Sequence, residues 1–380
     1  LSLLVRRLQV ALKNYILIDM KKRIMDKVER ALIDQIGVKP GDGIVVGVSG
    51  GADSVSLLKV IQDLSIKLEL SVHAAHYNHG IRGESADGDS RFVAELCACL
   101  NVPLIIERGD VPAHAAGHGQ TLEQAARELR YGFLETARAR FSADYVAVAH
   151  HMDDQAESVL MHLFRGSGLK GLTGMRFKRD RIIRPMLACR RKEIEEYLNE
   201  EGIPYRTDET NLVPEATRNR LRLEVIPYIE KHVNSEVIQA IFRMSELIQS
   251  DEAYLESLAC EALNECVSGT GYSAKRLRLL PKPVLSRAIR IALARSGADQ
   301  DIERAHVDAV EALLYGRTGA GADLPKVRAY MSYDTLIIGA RTEYIEFEIE
   351  LNMDGTTDTP LGRFSATMHS GNKAISYDKY

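Results

Sequence analysis

A chain of 380 residues, 45% hydrophobic and 27% charged, has an ordinary globular balance and room for two or three domains. Its net charge of −4 offers no overall attraction to nucleic acid, so such a partner has to be met by a local basic patch. The five cysteines form no C-x-x-C pair, which argues against a disulfide framework or a cysteine zinc site and fits a reducing cytoplasm. No apolar run approaches the roughly 20 residues of a membrane span.

Residues 1–37 are expected to form an N-terminal helical extension. Its apolar opening is broken by Arg6, Arg7 and Lys13, and Met20 is the expected start, with 1–19 an upstream extension. Residues 43–48 read as a buried strand, and Leu57, Leu58, Val60 and Ile61 continue at helical spacing. A strand at Leu70–Ala75, a helix around Arg91–Leu100 and a strand at Leu104–Ile106 follow. Thr121–Arg140 is the next helix, with Thr121 as cap and Glu123 and Gln124 near the capping-box position. Tyr145–Ala149 is another strand and Asp153–Phe164 another helix. This alternation argues for an α/β fold, a parallel sheet with helices on both faces and ligands at the strands' carboxyl ends.

The catalytic domain is expected over 38–225. A helical domain follows over 226–316, then a β-rich segment over 317–380 in which Ile345, Phe347, Ile349 and Leu351 alternate with glutamates. That segment is expected to lead into a further C-terminal domain beyond Tyr380.

Ser49-Gly50-Gly51-Ala52-Asp53-Ser54 lies between the first strand and its helix. The first turn of a helix has unpaired N–H groups and the positive end of the helix dipole, so this position suits phosphate. Gly50 and Gly51 allow close backbone approach, and Ser49 and Ser54 offer hydroxyls. Asp53 is repelled by phosphate directly but can hold a Mg²⁺ that bridges phosphate oxygens. With no lysine after the glycines and no G-x-G-x-x-G, the loop is neither a Walker loop nor a hydride-cofactor fingerprint. It resembles the pyrophosphate (PP) loop of enzymes that cut ATP between the α and β phosphates.

Further segments narrow the resemblance. They are His76–Gly83, Ala126–Tyr131, Ala149–Glu157, Arg165–Leu172 and Arg218–Arg222. In this order and spacing the chain resembles tRNA(Ile)-lysidine synthetase, strongly over residues 40–228 and weakly beyond. The resemblance implies an ATP-dependent ligase. It would adenylate O2 of the wobble cytidine of CAU-anticodon tRNA(Ile), after which the side-chain amine of free L-lysine attacks C2 and expels AMP. Two departures stand against the family pattern, Ala216 in place of an aromatic and Val213 in place of an acid.

Within that frame Asp53, Asp154, Glu157 and Arg222 are the expected catalytic residues. Ser49, Gly50, Gly51, Ala52, Asp53, Ser54, His76 and Arg127 are the expected ATP-binding set, and Asp53 the expected Mg²⁺ ligand. Asp154 and Glu157, three apart on a helix, share a face, and a carboxylate pair matches the ammonium groups of lysine. Arg127 and Arg130 are likewise paired, for ATP phosphates or tRNA backbone. Among Arg218, Arg220 and Arg222 the sequence leaves the choice open, with Arg222 preferred. His76, His79, His150 and His151 lack the companions of a zinc site and suit contact with nucleotide or substrate instead.

The basic stretches Arg176–Lys192 and Ser273–Ala298 are the expected tRNA contacts. A PP-loop tRNA thiolase is the nearest rival, but Cys97 and Cys99 fall on a helix at a spacing that points them apart. A small-molecule amide ligase would not need the basic stretches, and a nucleotide sensor would not need the carboxylate pair. A homodimer through the N-terminal helices stays open.

Overall fold

The computed structural model describes residues 22–80, 84–206, 217–298, 301–340 and, beyond these, 349–350, 352, 355–359, 362–369 and 372–378. Residues 1–21, Ile81–Gly83, the Asp208–Asn211 motif, Val213, Ala216 and most of the expected strand at 345–351 fall outside them. The chain divides into two compact units, up to Glu252 and from Ala253 onward.

The first unit opens with α1, a helix over 22–30 that widens into a π-helical turn at Ala31–Ile36. Then come β1 (Gly43–Gly47), α2 (Ala52–Leu68), β2 (Ser71–Asn78), α3 (Glu84–Cys99), β3 (Leu104–Arg108), α4 (Val111–His118), α5 (Leu122–Arg140) and β4 (Tyr145–Ala147). They are followed by α6 (Met152–Phe164), α7 (Leu169–Leu172), β5 (Lys178–Arg179), β6 (Ile182–Ile183), α8 (Arg191–Glu201), α9 (Thr217–Arg220) and α10 (Ile226–His232). The sheet order is β3-β2-β1-β4-β6-β5, parallel throughout except for the β5–β6 edge pair.

Side chains of a strand alternate between faces, and β1 shows both. Ile44 and Val46 enter a core with α1, α2 and α8, while Val45 joins Phe133, Leu134 and Ala137 of α5 on the other side. α2 is wrapped on several sides, with Val55, Leu57, Leu58, Val60 and Ile61 all fully buried, so its apolar residues are spread over more than one face. α5 is capped as its sequence implies. Gln124 N donates to Thr121 Oγ1 (3.2 Å), and Thr121 N donates to Gln124 Oε1 (3.0 Å). The α/β architecture with helices on both faces is therefore borne out.

The long helix α11 (Val237–Glu265) gives its first part to the first unit and its second part to the other. The second unit continues with β7 (Val267–Ser268), β8 (Gly271–Ser273), α12 (Ala274–Leu277), α13 (Lys282–Arg295), α14 (Arg304–Leu313), β9 (Gly321–Asp323), β10 (Val327–Ser332) and β11 (Thr335–Ala340). Its sheet, β7-β8-β11-β10-β9, is antiparallel. Ala259 and Leu263 of α11, Ile289 and Leu293 of α13 and Val310 of α14 share one core with Val327, Ala329, Met331 and Leu336. The unit boundary thus falls at 252/253, not at the expected 225/226, and no boundary separates these helices from the strands after 316. The reason is packing: an amphipathic helix face and a half-buried sheet each need the other to exclude water. Strands β12 (Gly355–Thr359), β13 (Gly362–His369) and β14 (Asn372–Asp378) form a separate antiparallel sheet.

Candidate active site

The phosphate loop is a tight turn between β1 and α2. Gly50 has φ +93°, a conformation that strains any residue with a Cβ, so glycine is favoured there. Ser49 N donates to Ser54 Oγ (3.1 Å), Ser54 Oγ donates to Gly51 O (3.0 Å), and Arg206 N donates to Gly50 O (2.9 Å). No side chain caps α2, whose N-cap is Gly51, so its first-turn N–H groups face outward for an anion.

His76 braces this loop from below. It is 4% exposed, its Nδ1 lies 2.8 Å from Val48 O, and its Nε2 lies 3.1 Å from Ser90 Oγ. The carbonyl can only accept, so Nδ1 carries the proton and Nε2 accepts from the serine hydroxyl. Both ring nitrogens are spent inside the fold. In this structure His76 holds the strand end that carries the loop.

Asp53, in the first turn of α2, faces the N-terminus of α6. Arg191 Nη1 donates to its Oδ2 (3.3 Å), while its Oδ1 is buried without a hydrogen-bond partner. Burial raises its pKa above the ordinary value of 3.8, against the opposing influence of the His151 ring and the charge of Arg191. An ionised carboxylate with a bare, dehydrated oxygen at a phosphate loop fits Mg²⁺, which takes one or two protein carboxylates and completes its shell with phosphates and water.

His151 is the N-cap of α6 and 1% exposed. Asp154 N donates to its Nδ1 (3.3 Å), so the ring proton sits on Nε2, and His151 N donates to Asp154 Oδ2 (3.1 Å). That Nε2 lies 3.7 Å from Asp53 Oδ1 and 3.4 Å from Asp154 Oδ2. The imidazole N–H is thereby aimed between the two carboxylates.

One turn along α6 stands Glu157. Arg222 Nε donates to Glu157 Oε1 (2.6 Å) and Arg222 Nη2 to Oε2 (3.0 Å). Arg218 Nε donates to Oε2 (2.6 Å), and Nη2 of both arginines reaches Asp154 Oδ1, at 3.0 Å from Arg218 and 3.1 Å from Arg222. Residues 217–232 run as a continuous helical path, so Arg218 and Arg222, four apart, share a face, while Arg220 is exposed. Burial alone would raise the Asp154 pKa, but His151 at the helix cap and the Arg218 guanidinium outweigh it and hold it below 3.8. Arg222, although desolvated, is held more firmly protonated by its bond to Glu157.

His150, the last residue before this cap, has a buried Nδ1 with no partner. Burial, reinforced by Arg184, Arg130 and Arg218 against Asp154, lowers its pKa to about 3, so it is a neutral imidazole at physiological pH. Among the described residues no group of three or more His, Cys, Asp or Glu side chains gathers as a metal cage.

Residues 20–229 match the family model of the PP-loop domain. Curated relatives named tRNA(Ile)-lysidine synthase align over most of the chain. The one from Clostridium acetobutylicum is 38% identical over 308 residues, covering 79% of this chain and 67% of its own length. Those from Caldanaerobacter subterraneus (34% over 352 residues, 90% and 75%) and Geobacter sulfurreducens (37% over 333 residues, 85% and 70%) agree. The chain belongs to the tRNA(Ile)-lysidine synthase family. Membership makes it an ATP-using ligase that forms a carbon–nitrogen bond in tRNA modification. A solved U34-tRNA thiolase from Methanococcus maripaludis shares the fold, with TM-score 0.51 and 19% identity over 60% of this chain and 80% of that one.

In this lysidine synthase family member, Asp53, Asp154, Glu157 and Arg222 meet, as do the loop residues Ser49–Ser54. Arg127 instead lines a cleft with Gln120, Gln124, Glu128 and Tyr131 and makes none of the loop's hydrogen bonds. The stretch Arg176–Lys192 is only partly a free surface. Arg184 is 6% exposed, Arg190 bonds Asp153 and Glu230, and Arg191 bonds Asp53 and Glu195. In the second stretch Arg276, Arg278, Arg287 and Arg290 spend donors on the carbonyls of Glu265, Leu314, Pro283 and Ile302. Sequence reasoning gave His151 a nucleotide or substrate contact but not the α6 cap, and placed Arg191 in the expected tRNA-contacting stretch rather than beside Asp53. Histidine is an uncommon cap, and Arg191 meets Asp53 across 138 residues with no local signal.

Proposed function

We propose that this enzyme adenylates O2 of the wobble cytidine of CAU-anticodon tRNA(Ile) and then joins free L-lysine to C2, making lysidine and releasing AMP and pyrophosphate. The observation that carries the reading is the meeting of Asp53 of the phosphate loop, through His151, with the Asp154–Glu157 pair and its two arginines. Phosphate chemistry and ammonium recognition are thus adjacent, as a two-step adenylation and amination needs.

In the first step the loop's N–H groups and the Ser49 and Ser54 hydroxyls hold the triphosphate so that cytidine O2 attacks the α-phosphorus and pyrophosphate leaves. A Mg²⁺ held by Asp53 would neutralise charge on the phosphate oxygens. In the second step the side-chain nitrogen of lysine bonds C2 and the C2–O2 bond breaks, O2 leaving with AMP. Asp154 and Glu157 bind the ammonium groups of lysine, and Arg222 or Arg218 swings to its carboxylate. The side-chain ammonium sheds a proton to solvent as it attacks, while the Asp154 and Glu157 carboxylates hold the nitrogen at C2. Part of the basic surface, such as exposed Arg179 and Lys192, meets the tRNA backbone.

The test is nucleoside mass spectrometry of a CAU-anticodon tRNA(Ile) transcript after incubation with the chain, ATP, Mg²⁺ and lysine. A cytidine that gains lysine minus water is expected. AMP formation without a modified cytidine would overturn the substrate assignment.

A further inference from the structure

α5 carries a second cluster that the reaction above does not use. The parallel strands fix where it lies. The chain leaves β3 at Arg108, enters α5 at Leu122 and returns to β4 at Tyr145, so the first half of α5 stands at the carboxyl edge of the sheet, like the loop after β1. α5 packs on the face of Val45, Val146 and Val148, whereas α2 packs on the face of Ile44 and Val46. The cleft lined by Gln120, Gln124, Arg127, Glu128 and Tyr131 therefore shares the edge of the phosphate loop but not its face.

The cleft presents the Arg127 guanidinium, with Arg130 beside it, and is unsatisfied. The guanidinium of Arg127 lies 4.9 Å from the centre of the Tyr131 ring, and that of Arg130 lies 5.4 Å from it. The one acid of the lining, Glu128, is taken by Gln120 Nε2 (2.8 Å) and faces His114 Nε2 (3.9 Å). Arg130 Nε and Gln120 Oε1 are buried without hydrogen-bond partners, whereas the Tyr131 hydroxyl faces the guanidinium of Arg184. Gln124 commits its oxygen to the α5 cap, which leaves its amide NH₂ as a donor.

Orphaned buried polar atoms cost stability and mark where a ligand belongs. The donors and the cationic charge ask for phosphate. A bare phosphate would, however, set an anion against the Gln120 acceptor, whereas a nucleobase brings its own N–H. Planar guanidinium and aromatic groups are also the surfaces on which proteins stack unpaired bases.

We propose that this cleft is a subsite for the substrate RNA, holding an unstacked nucleotide that flanks the reacting one. Arg127 and Tyr131 form the stacking plane and phosphate contact, and Gln120 and Gln124 read the base edge. The inference rests on the tRNA reading above and adds the place where a neighbouring nucleotide is gripped.

The experiment measures equilibrium binding of a CAU-anticodon tRNA(Ile) transcript to the 380-residue chain, with KM for ATP from AMP formation in parallel. The variants are Arg127→Ala, Gln124→Ala and Tyr131→Leu, the last keeping an apolar contact with the core while removing the ring. Arg127→Ala and Tyr131→Leu are expected to weaken RNA binding by about tenfold, and Tyr131→Leu to leave KM for ATP unchanged within about twofold. The salt dependence of Arg127→Ala binding should lose about one unit of log–log slope. An unchanged RNA affinity in both folded variants overturns the proposal, and a rise in KM for ATP alone would give the cleft to ATP. A wild-type chain that forms AMP but binds this tRNA no better than an unrelated one would instead overturn the tRNA reading itself.

Discussion

Arg222 and Glu157 meet edge to edge, with Nε on Oε1 at 2.6 Å and Nη2 on Oε2 at 3.0 Å, and Glu157 is 1% exposed. A bidentate pair at such depth fixes both side chains, and Arg218 adds a second guanidinium to the same carboxylate. Neutralising Glu157 leaves two buried cations with less counter-charge. Glu157→Gln is expected to cost about 3 kcal/mol in urea unfolding and to raise the KM for lysine. A variant as stable as wild type would show that the pair is dispensable for folding.

Arg222→Lys keeps the charge and loses the fork. With a single ammonium, only one of the Glu157 contacts can be kept. A fall in turnover of about tenfold or more, on the scale of one lost charge-assisted bond, is expected at saturating ATP. Arg220→Lys, at an exposed position off that face, should change turnover far less.

Asp53 gives a signed pH effect. Its folded pKa is raised above 3.8, so the folded chain prefers the protonated acid and the ionised form costs stability at neutral pH. Asp53→Asn should therefore raise Tm at pH 7 by about 2 °C, and the gain should vanish as pH falls toward 3.8. The same variant should lose lysidine formation and the Tm increase that ATP with Mg²⁺ gives the wild type. A lower Tm at pH 7 would contradict the desolvation argument.

His150, with its pKa lowered to about 3, should remain neutral from pH 5 to 8 in the free enzyme. NMR of ring-labelled histidine should show no titration for His150 in that window. A midpoint near the ordinary 6.5 would mean that water reaches the ring.

Gln155 ties the turn after α7 to the helices. Its amide nitrogen donates to Thr173 O (3.3 Å), Met175 O (3.1 Å) and Ser245 Oγ (3.1 Å), and its oxygen accepts from Met175 N (2.6 Å). Gly174 has φ +60°, and a Cβ there would lie 2.5 Å from Gln155 Nε2. Gly174→Ala is expected to cost roughly 2 kcal/mol of stability, read by urea unfolding. A neutral effect would mean that the Gln155 amide can give way.

Local chemistry made much of this legible in the sequence. The strand–loop–helix with Gly50 and Gly51, the Thr121 cap, the apolar run of α2 and the i, i+3 spacing of Asp154 and Glu157 are each decided by residues within a few positions of one another. Period and capping are local physics, so the α/β class and the phosphate loop could be read before any contact was known. Tertiary structure alone decided the rest. His76 turned inward because Val48 O and Ser90 Oγ, far apart in sequence, take both its nitrogens. Arg218 joined Arg222 because the segment is helical and faces α6, and Arg191 became a partner of Asp53 because parallel strands bring the starts of α2 and α8 to one edge. The unit boundary moved to 252/253 because the second part of α11 shares one apolar core with α13, α14 and β10. Which polar group meets which is a matter of long-range packing, where burial makes each unmade bond costly and so selects the pairing.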